Sequence, residues 1–127
     1  MKGPISSLMT PMAWSGDMDD TVTQVETLLS TKGLSWAPVL EAGRVIVGVI
    51  SASDLLQFHA QGGDAAKVRA WQMCTYKPIT VDEVTPLIEV AQLMLARQIH
   101  HVVVTRNDGI AGVVSSLDFV RAFIDKA

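Results

Sequence analysis

GVISASDLL (Gly48–Leu56) and GVVSSLDFV (Gly112–Val120) are two versions of one pattern. Gly48 aligns with Gly112, Ser51 with Ser115 and Asp54 with Asp118, each pair 64 positions apart (112 − 48). Upstream the offset is 65: Thr10 aligns with Thr75 (75 − 10) and Val39 with Val104. The one-residue change falls between Val39 and Gly48, where EAGR in the first copy faces RNDG in the second. Turns tolerate such changes best. Self-similarity at a fixed offset marks a duplicated unit, here over roughly residues 5–60 and 70–125, with residues 61–69 as the linker.

Each copy reads outward from this pattern in the same order. A short extended stretch comes first, SLMTPM and then QMCTYK. A helix follows. In the first copy Thr21 and Gln24 form a capping box, because Gln at that position reaches back to the exposed backbone. Val22, Val25, Leu28 and Leu29 fall on one face, and Gly33 sits where a left-handed C-cap is wanted. In the second copy Thr85-Pro86 predicts a helix start with Pro at the first helical position, where it loses no needed hydrogen bond. Leu87, Val90, Ala91 and Met94 form that helix's face. Two strands come next: SWAPVL and RVIVGVIS around a turn at Ala42-Gly43, then HHVVVT and IAGVVSS around Asn107-Asp108-Gly109, a hairpin signal. The helices SDLLQFHAQ and LDFVRAFIDK close the copies, Gly62-Gly63 ends the first of them, and DAAKVRAWQM reads as a helical linker.

The predicted fold is therefore α+β: two β-α-β-β-α repeats packed sheet to sheet with pseudo-twofold symmetry. One copy alone would leave a sheet face wet, and pairing two buries it. The chain of 127 residues is 49% hydrophobic and 18% charged, which excludes a disordered protein. Its net charge of −3 argues against general nucleic-acid binding. The single cysteine, Cys74, permits no internal disulfide, and no run reaches the roughly 20 apolar residues of a membrane helix. These features predict a cytoplasmic, stand-alone module that needs neither membrane nor nucleic acid.

LMTP at 8–11, APVLEAGRVIVGVISASDLL at 37–56, IHHVVV at 99–104 and GIAGVVSSLDFV at 109–120 carry a family resemblance. The chain resembles a tandem pair of cystathionine-β-synthase (CBS) domains, a Bateman module. The resemblance implies a regulatory module, not an enzyme. It would bind an adenosine-containing ligand (AMP, ADP, ATP or S-adenosylmethionine) between the repeats, with no required cofactor. It also implies a homodimeric disc and an effector protein that reads the bound state. In the family, the Asp of Gly-x-x-Ser/Thr-x-x-Asp grips the ribose hydroxyls. Those positions here are Ser51 with Asp54 and Ser115 with Asp118.

By resemblance, the favoured cleft takes Asp118, Ser115, Leu117 and His101 from the second copy, with Thr10 to Met12 and Leu34-Ser35-Trp36 from the first. The second cleft takes Asp54, Ser51 and Ser53, with Thr75 to Pro78 and Ile99, His100 and His101. Family members that hold phosphate often carry a basic residue at the position of His101. The matching residue in the first copy is Trp36, which offers no charge, and Lys77 would compensate there. A polyphosphate wants more cations than these.

Plainer readings stand beside each of these. Ser-x-x-Asp before an apolar helix is also a capping box. Capping and ligand binding use the same geometry, since a helix N-terminus presents free N–H groups to oxygens. His100 and His101 are neighbours on a strand and point to opposite faces, so they do not build one metal site with distant His59. Trp14 and Trp36 suit packing as well as stacking. Met9 and Met12 suit core walls, and Cys74 has no base beside it and reads as buried filler. No GxSxG, HExxH or P-loop points to catalysis. The alternative function is a structural or interaction dimer that binds no ligand, with Leu55, Phe58, Phe119 and Phe123 at the contact.

Overall fold

The computed structural model describes residues 2–11, 14–76, 78–107 and 109–125. In chain order these form a 3-10 turn at Ile5–Ser7, β1 (Thr10–Pro11), β2 (Gly16–Asp17), α1 (Val22–Lys32), β3 (Trp36–Glu41), β4 (Val45–Ser51) and α2 (Ala52–Ala60). Then come α3 (Ala70–Met73), β5 (Thr75–Tyr76), β6 (Thr80–Asp82), α4 (Leu87–Arg97), β7 (His101–Arg106), β8 (Gly109–Ser115) and α5 (Ser116–Asp125). The fold is mixed α+β with two four-stranded sheets, ordered β1-β8-β7-β6 and β2-β3-β4-β5. Met12, Lys77 and Asp108, singled out above, lie outside the described residues.

The chain divides into two compact units, Trp14–Pro78 and Met1–Ala13 with Ile79–Ala127. Repeats along the sequence and units in space are thus offset. The stretch that opens the first copy supplies β1, which pairs antiparallel with β8 of the second copy (Thr10 opposite Val113). The stretch that opens the second copy supplies β5, which pairs with β4 of the first (Thr75 opposite Val49). Each sheet is therefore finished by the strand that opens the other copy.

The repeated glycines make this exchange possible. A Cβ on Gly112 would stand 2.5 Å from the Thr10 carbonyl oxygen and 2.9 Å from the Met9 sulfur. A Cβ on Gly48 would stand 2.5 Å from the Thr75 carbonyl oxygen and 2.8 Å from the Cys74 sulfur. A backbone oxygen cannot retreat as a flexible side-chain tip can, so only glycine fits beneath each short edge strand. The conformational freedom of glycine is not what is used at either position.

Each unit lays its helices on one sheet face. Val22, Val25 and Leu29 of α1 and Leu55 of α2 pack on Ala37, Val39 and Ile50. In the other unit Leu87, Val90 and Met94 of α4 and Phe119 of α5 pack on Val102, Val104 and Val114, with Ile5 beside them. Removing such a side chain from water contributes about 1.5–3 kcal/mol. Strand alternation explains why every second residue is used this way.

Helix α1 carries the expected capping box. Gln24 N donates to Thr21 Oγ1 at 3.2 Å, Thr21 N donates to Gln24 Oε1 at 2.8 Å, and Gly33 closes the helix at φ +65°. Helix α4 starts one residue later than Thr85-Pro86 predicts: Pro86 is the extended N-cap and Leu87 the first helical residue. The cause is a backbone pairing with the N-terminal segment, in which Ile5 N donates to Thr85 O at 2.7 Å and Leu87 N to Gly3 O at 2.9 Å. The linker also departs from its predicted helix, since only Ala70–Met73 is helical. Its carbonyls serve α1 instead: Val22 N donates to Val68 O at 2.9 Å and Thr23 N to Ala65 O at 3.0 Å. Those two bonds fill first-turn donors that a helix cannot fill itself. Ala42 and Gly43 both take positive φ (53° and 69°), the requirement of a tight hairpin turn with right-handed strands.

Candidate functional site

The two Ser-x-x-Asp segments build matching helix mouths. At α5, Ser115 N donates to Asp118 Oδ2 at 2.8 Å and Asp118 N donates to Ser115 Oγ at 3.3 Å. At α2, Ser51 N donates to Asp54 Oδ2 at 2.9 Å and Asp54 N donates to Ser51 Oγ at 3.2 Å. The first helical N–H is filled by the carbonyl of the residue just before β7 or β3, Ser116 N to His100 O at 2.9 Å and Ala52 N to Ser35 O at 2.8 Å. Both Asp residues are half-buried.

The cap uses one oxygen of each carboxylate. Among the described residues Oδ1 of Asp118 and of Asp54 makes no hydrogen bond, nor do the Leu117 and Ser53 N–H groups. An ionised carboxylate has about four acceptor sites. Each mouth thus offers acceptors beside a free donor, at the positive end of a helix. That combination suits a ligand presenting vicinal hydroxyls.

Registers assign the neighbours. His101 stands opposite Ser115, and Trp36 opposite Ser51. Opposed residues share a sheet face, as do residues two apart on a strand. His101, Ser115 and Thr10 (opposite Val113) therefore occupy the face of their sheet away from the helices, and Trp36, Ser51 and Thr75 do so in the other. The structure brings Thr10, His101, Ser115, Leu117 and Asp118 together within one unit, which also holds Ile99 and His100. It places Leu34, Ser35 and Trp36 in the other unit, beside Ser51, Ser53, Asp54 and Thr75. Ser53 Oγ lies 3.0 Å from Ser51 Oγ, a hydroxyl pair for which the Asp118 mouth has no counterpart, since Leu117 stands there.

Burial holds the His101 imidazole below its ordinary pKa. The His100 ring beside it adds to that shift, and Asp118 opposes it. Near neutral pH it is an uncharged hydrogen-bonding ring. Burial raises the Cys74 thiol, partly countered by a hydrogen bond with Tyr76, so the sulfur stays protonated against Gly48. Trp14 is 44% exposed and carries the Lys32 ammonium 4.0 Å above its ring, which makes it a surface stacking partner. Leu55 and Phe119 are committed to the cores of their own units, Phe58 packs partly on one of them, and Phe123 is 60% exposed. Pattern reading passed over Gln57, Gln61 and Met73, which stand with Asp54 and Phe58 around a cavity. For Gln57 and Gln61 the signal was the helical spacing from Asp54, hidden because neither is apolar; Met73 comes from α3 and no spacing links it to Asp54.

The family profile of the CBS domain matches residues 5–60 and again residues 68–125. The chain belongs to the CBS-domain family, as a tandem pair. No match was found among curated proteins. Solved CBS structures are similar in fold. CBSX2 in complex with AMP is 24% identical, with 98% of each chain covered and a TM-score of 0.85. The CBS domain of the bacterial CNNM/CorC family Mg2+ transporter in complex with ATP is 23% identical, covering 96% of this chain and 87% of that one, at 0.85. Hypoxic Response Protein I, with two coordinated zinc ions, is 17% identical, covering 93% and 97%, at 0.82. Among the described residues of the present CBS pair, no group of three or more His, Cys, Asp or Glu could hold a metal. No helix described is long and apolar enough to cross a membrane.

Proposed function

We propose that this CBS pair is a regulatory module that binds an adenosine-containing ligand and passes its occupancy to a partner protein. The carrying observation is the half-used carboxylate: among the described residues Asp118 caps α5 with Oδ2 and keeps Oδ1, beside a Leu117 N–H that nothing fills. CBS relatives of the same fold in complex with AMP and ATP support the ligand class. Within it, the Asp118 mouth favours ligands of low charge, because His101 contributes a neutral ring. Leu117 also leaves that mouth apolar where Asp54 has Ser53. Transmission requires the ligand to bind one state of the module more tightly than another. A second copy of the chain is the proposed cover for the exposed side chains of α5: Leu117, Val120, Phe123 and Ile124.

Isothermal titration with AMP, ADP, ATP and S-adenosylmethionine tests the reading, with melting curves alongside. Saturable heat with at least one of them and a rise in melting temperature are expected. Silence with all four establishes the second reading, a structural CBS dimer without ligand. One observation favours that alternative: both Ser-x-x-Asp segments form complete capping boxes, so the motif has a structural role in any case.

A further inference from the structure

A cavity of about 220 Å³ lies within the unit Trp14–Pro78, lined by Asp54, Gln57, Phe58, Gln61 and Met73. Asp54, Gln57, Phe58 and Gln61 follow the i, i+3, i+4, i+7 spacing that puts side chains on one helix face. Met73 closes it from α3. The Phe58 ring is seated against the turn after α2, where a Cβ on Gly63 would stand only 2.4 Å from Phe58 Cζ. Glycine there leaves room for the ring.

The lining has one chemical bias. Among the described residues it holds a carboxylate, with Oδ1 unused by the cap, two side-chain amides with acceptor oxygens, an aromatic ring and a thioether, and no cation. Gln57 and Gln61 make no side-chain hydrogen bond among the described residues. Organic ligands of drug size fill about 300–1,000 Å³, so this open cavity encloses a single group and not a whole nucleotide. A planar cation that donates to carboxylate and amide oxygens from its edge and lays its face on an aromatic ring is a guanidinium.

The duplicated scaffold does not account for this cavity. At the equivalent positions on α5, 64 residues on, stand Arg121, Ala122 and Asp125 for Gln57, Phe58 and Gln61. The aromatic wall is gone and a cation is supplied by the chain itself. We infer that the α2–α3 cavity is a guanidinium site, which shares Asp54 with the second adenosine mouth and takes either a free alkylguanidine or the arginine side chain of a bound protein.

The test is an NMR titration of the full chain with agmatine, read at the Phe58 ring, the Met73 methyl and the Gln57 and Gln61 side-chain amides. Saturable shifts at these groups are expected, with n-butylamine binding more weakly. Gln57→Lys places a cation in the lining at an exposed position. It should weaken agmatine by about tenfold or more through like-charge repulsion, and Gln57→Glu should tighten it. A Gly-Arg-Gly peptide separates the sources: binding equal to agmatine identifies a protein side chain, and loss of binding identifies a free small guanidine. Absence of saturable shifts at the lining, or equal affinity in parent and Gln57→Lys, overturns the inference. AMP is titrated separately and read at the Asp118 mouth, which shares no residue with the cavity, so failure of one reading leaves the other standing.

Discussion

Asp118 caps α5 with one oxygen and, on the proposed reading, grips a ligand with the other, and a three-variant series separates the two tasks. Asp118→Ala removes the acceptor of the Ser115 N–H, now met at 2.8 Å, and also the unused Oδ1. One half of a capping box contributes about 1 kcal/mol, and a chain of this size loses roughly 3–5 °C in melting temperature per kcal/mol. Asp118→Asn keeps a carbonyl that can accept the Ser115 N–H, so its melting temperature should stay within about 2 °C of the parent. It replaces the other oxygen with a donor and removes the charge. Hydrogen bonds to charged groups contribute about 1.5–3 kcal/mol against about 1 for neutral ones. A diol held by both acceptors then loses about 1–3 kcal/mol, roughly 5- to 150-fold in Kd. Ser115→Ala breaks the other half of the box at 3.3 Å and leaves the carboxylate intact. It should melt like Asp118→Ala and bind close to the parent. Calorimetric titration with AMP and ligand-free melting, on the same preparations, give the two rankings. The reasoning is refuted if Asp118→Asn binds as the parent does, or if affinity follows stability across all three variants.

The remaining predictions concern the scaffold and the imidazole. Gly112→Ala should cost about 1–3 kcal/mol in urea unfolding, since its Cβ meets the Thr10 carbonyl at 2.5 Å and the strand must shift. Gly109→Ala, whose nearest non-neighbour is the Arg106 oxygen at 3.5 Å, should be near neutral; equal losses at both would remove the close-approach argument. His101 has a folded-state pKa below its unfolded value of about 6.5, so the unfolded chain binds more protons as pH falls through that range. Its contribution is fully present above pH about 6.5 and declines as pH drops toward the lowered value. Stability of the parent should fall more steeply from neutral pH into that window than stability of His101→Gln; parallel profiles would contradict it.

Much of the fold was legible because burial repeats along the sequence. Val22, Val25 and Leu29 sit in the core at the positions their spacing assigned, and Leu87, Val90 and Met94 do the same. The Thr21–Gln24 box was readable since all its partners lie within one turn. What escaped was non-local. The pairing of Gly3–Ile5 with Thr85–Leu87 moved the start of α4, and the use of linker carbonyls by α1 broke the predicted linker helix. Neither leaves a periodic trace. The exchange of β1 and β5 was encoded only in Gly48 and Gly112, whose close contacts involve residues far away in sequence. At the candidate site the caps were legible as local motifs. The unequal settings of Trp36 and His101 were visible as an aligned pair, but the lowered imidazole pKa depends on burial that no spacing reveals.

Duplication explains the geometry of the two mouths, and divergence at a few positions explains why they should not act alike. Each retains what its helix needs: a Ser, an Asp three residues on that closes the cap with it, and the carbonyl just before the neighbouring strand for the first N–H. The positions the cap leaves alone have changed, Trp36 against His101 and Ser53 against Leu117. If capping were the only constraint, these neighbours would be free to vary without pattern. Instead each mouth has one apolar and one polar neighbour, in opposite places. The indole stands across from Ser51 with the hydroxyl of Ser53 at the helix, and the imidazole stands across from Ser115 with Leu117 at the helix. Ligands bound as proposed would therefore meet the same carboxylate but different walls, and two mouths of unequal affinity would follow from one inherited cap.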